Sequence, residues 1–275
     1  MNRLFIALSF ALLAACGNDK SPAAPSPAVP SVTTSVGVTV PNPVRMGQTA
    51  QATGTETLAD GQTRPITSGW LSDAPAVATV TNAGLVTAIA NGRSTIYVVA
   101  GGRQGQQVVR VVPDYHGRWS GGLRITSCTA TGVFVDFGFC DDTPVGATYS
   151  YGLSLSQSAE QMTAIVDYGA PFVFPSIAAP VREDGTSAFT PSISVTDSGI
   201  TLAVDAAFNI NSTRVGELSG TVSEVWRFPN ISNAGEGRLV QDIVATTRTG
   251  AATSSTSGSS ARGLRLLRHL AVHAR

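Results

Sequence analysis

From residue 32 onward the chain is built of short runs in which apolar and polar residues alternate. Val36-Gly37-Val38-Thr39-Val40, Ala76-Val77-Ala78-Thr79-Val80, Leu85-Val86-Thr87-Ala88-Ile89, Thr95-Ile96-Tyr97-Val98-Val99 and Val108-Val109-Arg110-Val111-Val112 are the clearest in the first part. Period-two alternation puts one set of side chains on each face of an extended strand, so each run predicts a half-buried strand. Asp60-Gly61, Asn82-Ala83-Gly84, Asn91-Gly92 and Gly101-Gly102 punctuate them. Strands at roughly 8–12-residue spacing with such turns predict an antiparallel β-sandwich over residues 32–112, and no helical periodicity competes.

The same alternation resumes in residues 114–249. Thr131–Phe139 carries Val133, Val135, Phe137 and Phe139 in phase, which predicts a strand and, with the residues before it, a hairpin. Tyr149–Leu155, Gln161–Tyr168 and Thr201–Ile210 follow, the last with Leu202, Val204, Ala206, Phe208 and Ile210 on one side. Val215–Phe228 and Arg238–Thr247 close the series, and Phe172–Phe174 or Ser187–Phe189 brings it to about eight strands. Consecutive strands joined by short turns make a meander, and a long meander either exposes its edges or closes on itself. The reading is an all-β chain whose first sandwich is followed by an antiparallel meander β-barrel, with a second β-sandwich as the alternative.

Composition narrows the function classes. The 275 residues carry no net charge and only 13% charged residues, and 17 of the 18 basic residues are arginine, Lys20 being the exception. Nucleic-acid binding needs a clustered basic surface, so no nucleic-acid partner is expected. Full disorder is excluded by the ordinary apolar content. Charge is uneven: residues 114–249 hold 7 Arg against 14 acidic residues, and residues 32–112 hold 5 Arg against 3. The acidic part should stay soluble and avoid anionic lipid.

The first twenty residues give an address. Asn2 and Arg3 precede an apolar run from Leu4 to Ala15, interrupted by Ser9. A spanning helix needs about 20 apolar residues, so this shorter run predicts a signal peptide over residues 1–15. Leu13-Ala14-Ala15-Cys16 resembles the lipobox of bacterial lipoproteins. The resemblance implies that Cys16 is acylated and becomes the first mature residue, and that the membrane is a partner through these acyl groups. An ordinary signal peptide followed by a chance cysteine is the alternative. Gly17 after the cysteine fits outer-membrane rather than inner-membrane sorting. Four prolines within Asn18–Ser31 make residues 16–31 an extended tether.

Gly47, Asp60-Gly61, Trp70, Pro75-Ala76-Val77-Ala78-Thr79-Val80, Gly84-Leu85-Val86-Thr87-Ala88, Gly92 and Ile96 occur in an order that resembles the bacterial Ig-like group 2 domain. One position departs: Ala74 stands where that family carries Asn or Asp, with Asp73 one residue early. Trp70 is expected in the core, with Val77, Val80, Val86 and Ile96 as inward neighbours. The resemblance implies an adhesive or spacer module without an active site. Gly117-x-Trp119 on the first strand of the second part, with Arg248 on the last, resembles the lipocalin group. This implies a lumen that takes a small apolar ligand.

Candidate lining residues for such a lumen are Trp119, Phe137, Phe139, Tyr151, Glu224 and Trp226. Glu224 is in phase with Leu218, Val222 and Trp226. A carboxylate on the inward face is costly unless paired, so it can orient a ligand; a bulge that turns it outward is the alternative. In an exported, oxidising setting Cys128 and Cys140 should pair, which with Cys16 acylated accounts for all three cysteines. No catalytic residue, metal site or cofactor is assigned. His116 lacks a nucleophile elbow, and Asp141-Asp142-Thr143 and Glu183-Asp184-Gly185 read as solvated turns. Residues 250–275 form a flexible tail, with Leu264, Leu267 and Ala271 at helical spacing among Arg262, Arg265 and Arg268 as in a basic amphipathic helix. The expected function is a non-enzymatic, lipid-anchored cell-envelope protein whose Ig-like domain acts as an adhesive or spacer module, a surface protein or glycan being the partner. A lipocalin-like binder of a small apolar ligand is the alternative.

Overall fold

A computed structural model describes residues 31–182 and 184–249 of the chain. Signal peptide, Cys16, most of the tether, Glu183 and the tail lie outside the described residues.

The first part holds ten short strands: β1 (Thr33–Thr39), β2 (Val44–Arg45), β3 (Thr49–Gln51), β4 (Thr53–Leu58), β5 (Thr63–Ile66), β6 (Trp70–Ser72), β7 (Ala78–Val80), β8 (Leu85–Ala88), β9 (Gly92–Ala100) and β10 (Arg103–Val112). They form sheets ordered β1-β4-β5, β2-β10-β9-β6 and β3-β8-β7. Alternation turns Ser94, Ile96 and Val98 of β9 inward and leaves Arg93 and Val99 exposed. The core gathers Val40, Met46, Trp70, Ala78, Val86, Ile96, Val98 and Val109, with Val77 and Val80 half-buried against it. The departure at Ala74 is covered by Asp73, whose carboxylate accepts the Thr95 backbone N–H at 2.7 Å and the Ser94 hydroxyl at 3.2 Å. Asp73 thereby ties the turn after β6 to β9.

The second part is one nine-stranded antiparallel sheet. Its strands are β11 (Gly117–Ala130), β12 (Thr148–Ser158), β13 (Gln161–Asp167), β14 (Ile177–Pro180), β15 (Ser187–Phe189), β16 (Ser192–Asp197), β17 (Ile200–Asn211), β18 (Glu217–Arg227) and β19 (Glu236–Thr249). Every strand except β15, which pairs with β17, pairs with a sequence neighbour, and β19 returns to pair with β11 from Arg118↔Thr249 to Ala130↔Gly237. β15 and β16 run along the same edge of β17 and are separated at Pro191, which has no N–H to give. The sheet curls as a half-barrel whose two ends meet at a single bridge, Val181↔Ser187. The curl buries one face of the long strands, while β16 is only half-buried at Ile193 and Val195. Leu202, Val204, Ala206, Phe208 and Ile210 of β17 all point into one core with Trp119, Tyr151, Phe172, Phe174 and Trp226.

One sequence expectation is corrected. Thr131–Phe139 is not a strand. Pairing with β19 runs only as far as the Thr131 N–H, which reaches the Glu236 carbonyl at 2.9 Å. Gly132 then adopts φ 55°, and a single helical turn, α1 (Val133–Asp136), follows. Phe134 and Phe139 bury their rings, Val133 and Phe137 are half-buried, and Val135 is exposed. The predicted hairpin is therefore a loop folded across one end of the barrel. Of the two segments that could complete the series, Ser187–Phe189 is the strand β15, while in Phe172–Phe174 Val173 makes one bridge to Asp167 and the two rings fill the interior.

The two cores are joined without a flexible link. Val111 and Val112, on opposite faces of β10, are both fully buried, Val111 in the first core and Val112 in the second.

Candidate functional site

Glu224 points inward, as its phase with Val222 and Trp226 requires, and is 1% exposed. Its Oε2 accepts the Trp226 indole N–H at 2.8 Å. Among the described residues its Oε1 has no hydrogen-bond partner, and neither has Nε2 of Gln241, which is equally buried on β19. The register pairs Glu224 with Leu239 and Val222 with Gln241, so the two polar side chains are diagonal neighbours on the inner face. Diagonal backbone positions are about 7–8 Å apart, within the span of a small bridging group. An acceptor and a donor thus face the same apolar interior, where leaving either unmet is costly.

Around them the interior is filled with aromatic rings. Trp226 lies 6.0 Å from Phe139 and 5.9 Å from Phe172, and Phe134 stacks on Phe228 at 5.0 Å. Gly237 makes room for Phe139: a Cβ there would sit 2.7 Å from the ring. The disulfide between Cys128 of β11 and Cys140, Cα atoms 5.7 Å apart, fixes the loop that delivers Phe134 and Phe139.

At the other end of the barrel, Trp119 sits under Arg248, whose guanidinium carbon is 4.9 Å from the ring centroid. The Trp119 indole N–H donates to the Tyr115 carbonyl at 2.8 Å. Arg248 also pairs with Asp114 at 2.9 Å, and Arg45 of β2 reaches the same carboxylate at 3.3 Å. Asp114 is buried, so two cations compensate one desolvated anion. Gln157 accepts the Tyr115 backbone N–H and donates to the Pro113 carbonyl, at 2.8 and 3.0 Å. Tyr151 lies nearer this end, its hydroxyl 2.9 Å from that of Thr246. Burial pushes the phenols of Tyr151 and Tyr115 well above their ordinary range.

The six candidate lining residues therefore divide. Phe139, Glu224 and Trp226 meet at the loop end; Trp119 and Tyr151 lie towards the Arg248 end; Phe137 packs against the core from the turn after α1. Gln241 was missed, although its phase with Leu239 and Ile243 on β19 carried the same signal as that of Glu224. Surface hollows touch some of these residues: one of about 70 Å³ is lined by Trp119 and Tyr151, and one of about 250 Å³, beside Phe134 and Cys140, is lined by Phe139. Another of about 320 Å³ runs over His116, Arg118, Leu155 and Ile165. Among the described residues, no group of His, Cys, Asp and Glu is placed to hold a metal ion. None of their helices is long and apolar enough to cross a membrane.

No curated protein matches the chain. Among solved structures, domains 4–9 of the surface layer protein SbsC share 15% identity over 77% of this chain, at a TM-score of 0.28; the chain spans 31% of that structure's length. Domains 5–6 of the S-layer protein SbsC share 13% identity over 76% of this chain and 97% of that one, again at 0.28. At such TM-scores neither likeness bears on the fold or the function. Residues 29–112 match the family model of the bacterial Ig-like domain (group 2), in agreement with the packing of Trp70, Val86 and Ile96, and this part of the chain is a domain of that family.

Proposed function

We propose that this is an exported, non-enzymatic cell-envelope protein, held by acyl groups on Cys16 on the outer membrane, in which the Ig-like domain is a spacer or adhesive module presenting the barrel to a surface protein or glycan. The observation that carries the reading is the Ig-like domain continued, through Val111 and Val112, into a barrel whose interior is occupied by its own aromatic side chains. A filled interior favours recognition on outer surfaces over enclosure of a ligand.

A second reading, a lipocalin-like barrel that binds a small ligand, is favoured by the two unmet polar atoms at Glu224 and Gln241 and by the Arg248–Trp119 stack. Native mass spectrometry of the full chain purified from its own cells separates the two. The first reading expects the mass of the lipidated chain alone; a co-purified small molecule lost in Glu224→Leu would overturn it. Labelled-palmitate incorporation tests the anchor separately: the wild-type chain is expected to take up label and Cys16→Ser to take up none, and equal labelling of both would refute acylation at Cys16.

A further inference from the structure

The weakest junction of the curled sheet is where its ends meet. β14 and β15 share one bridge, Val181↔Ser187, and the Ser187 hydroxyl donates to the Pro180 carbonyl at 2.9 Å; the hairpin between them adds the Arg182 N–H to the Thr186 carbonyl at 2.8 Å and the Gly185 N–H to the Arg182 carbonyl at 3.0 Å. By contrast, β11 and β19 are paired along most of their length. The carbonyls of the hairpin that makes this weak closure are met from outside the barrel. Arg182 offers its carbonyl to the guanidinium of Arg110 on β10 at 2.6 Å. The Asp184 carbonyl accepts from the Asn91 side-chain amide at 2.9 Å. The Gly185 carbonyl accepts the hydroxyl of Tyr115, in the connector, at 2.7 Å. Asn91 is packed so closely that a Cβ on Gly185 would lie 2.6 Å from its amide nitrogen.

Arg110 reaches the other flank of the closure as well. It forms an ion pair with Glu160 in the β12–β13 turn, and the Glu160 carbonyl accepts the Val181 N–H at 2.7 Å. A single side chain from the Ig-like domain therefore grips the turn beside β14 and the hairpin leading to β15. Charge-assisted bonds of this kind are the strong ones, and Arg110, only 12% exposed, is held in place to make them.

We infer that the Ig-like domain is a clasp: through Asn91 and Arg110 it holds the β14–β15 seam of the barrel shut, so that the seat of the domain controls whether the barrel opens along that line. Opening there separates β14 from β15 without breaking any other strand pairing. Local openings of this kind are drawn from the least-bonded element of a fold.

Hydrogen exchange on the full chain tests the clasp. In Asn91→Ala/Arg110→Ala, the Arg182 amide, which bonds across the seam, should exchange at least ~tenfold faster than in the wild type, with the amides paired to β13 and β17 and those of β11 and β19 unchanged. Arg124→Ala, which removes an ion pair to Asp242 on the outer face, is the control and should leave the seam as it is. Seam exchange equal to the wild type in the double variant would overturn the inference. So would a rise spread evenly over the barrel, which would mark general support rather than a clasp. If the double variant does not fold, Asn91→Ala alone, which removes one donor and no charge, should give the same localised rise at smaller size, and its absence there would also overturn the inference.

Discussion

Arg248 combines three contacts that depend on one another: its plane covers Trp119, one nitrogen pairs with Asp114, and another donates to the Asp114 carbonyl. Arg248→Ala leaves Asp114 buried with only Arg45, at 3.3 Å and itself a third exposed, to balance it. Removing one partner of a buried pair costs about 3–5 kcal/mol; because Arg248 retains some solvent access, a loss of about 2–3 kcal/mol is expected in urea denaturation. Arg248→Lys should recover less than half of that loss, since an ammonium cannot stack and fork in the same way. Asp73 gives a pH signature. The hydrogen bonds from Thr95, backed by Ser94, hold its carboxyl below the ordinary value. A depressed folded value means that the contribution is complete above the unfolded value near 3.9 and is lost as pH falls through the lower, folded one. Asp73→Asn, which keeps the acceptor and removes the titration, should therefore show a shallower fall in urea midpoint between about pH 4 and pH 2 than the wild type.

At the scale of elements, the loop carrying α1 is anchored by its disulfide and two aromatic rings, by the Thr131 and Val133 N–H groups on the Glu236 and Ala234 carbonyls, and by the Tyr149 hydroxyl on the Asp142 carbonyl. Cys128→Ser/Cys140→Ser opens a loop of twelve residues, for which the chain-entropy relation gives about 3 kcal/mol. The loss should appear as a lower urea midpoint and as proteolytic cleavage between residues 131 and 143 that the intact protein resists. This loop is also where the sequence misleads. Val133, Val135, Phe137 and Phe139 alternate like a strand, but Gly132 turns the chain, and the two rings that enter the core, Phe134 and Phe139, are five residues apart. Nothing in a short apolar run separates a strand from a single helical turn when a glycine decides. β12, β13 and β17 were legible because each is paired on both sides and buries one face, so its phase is strict. The phase of Glu224 pointed inward for the same reason, and the structure decides for it against the outward bulge that the sequence left open. The clasp residues were not: Asn91 and Arg110 sit in ordinary turn and strand positions, and their partners lie 93 and 72 residues further along the chain.

Across the whole molecule, the question is whether the two cores behave as one. The Ig-like domain has little core of its own, a cluster of twelve buried apolar residues against the much larger cluster in the barrel, and small cores are marginal alone. Its last strand ends in Val112, which is fully buried in the barrel core while Met46 donates its backbone N–H to the Val112 carbonyl at 2.8 Å. The junction adds the Asp114 carboxylate, shared between Arg45 of the Ig-like domain and Arg248 of the barrel. Opening the first core therefore exposes part of the second and leaves a buried charge short of one partner, which couples their unfolding. Calorimetry of the wild-type chain should accordingly give one transition. Val112→Ala/Arg45→Ala weakens only what is shared, at about 2 kcal/mol or more in total, and should split the trace into an earlier Ig-like transition and a later barrel transition. Two separate transitions already present in the wild type would mean that the domains share a strand end but not a fold.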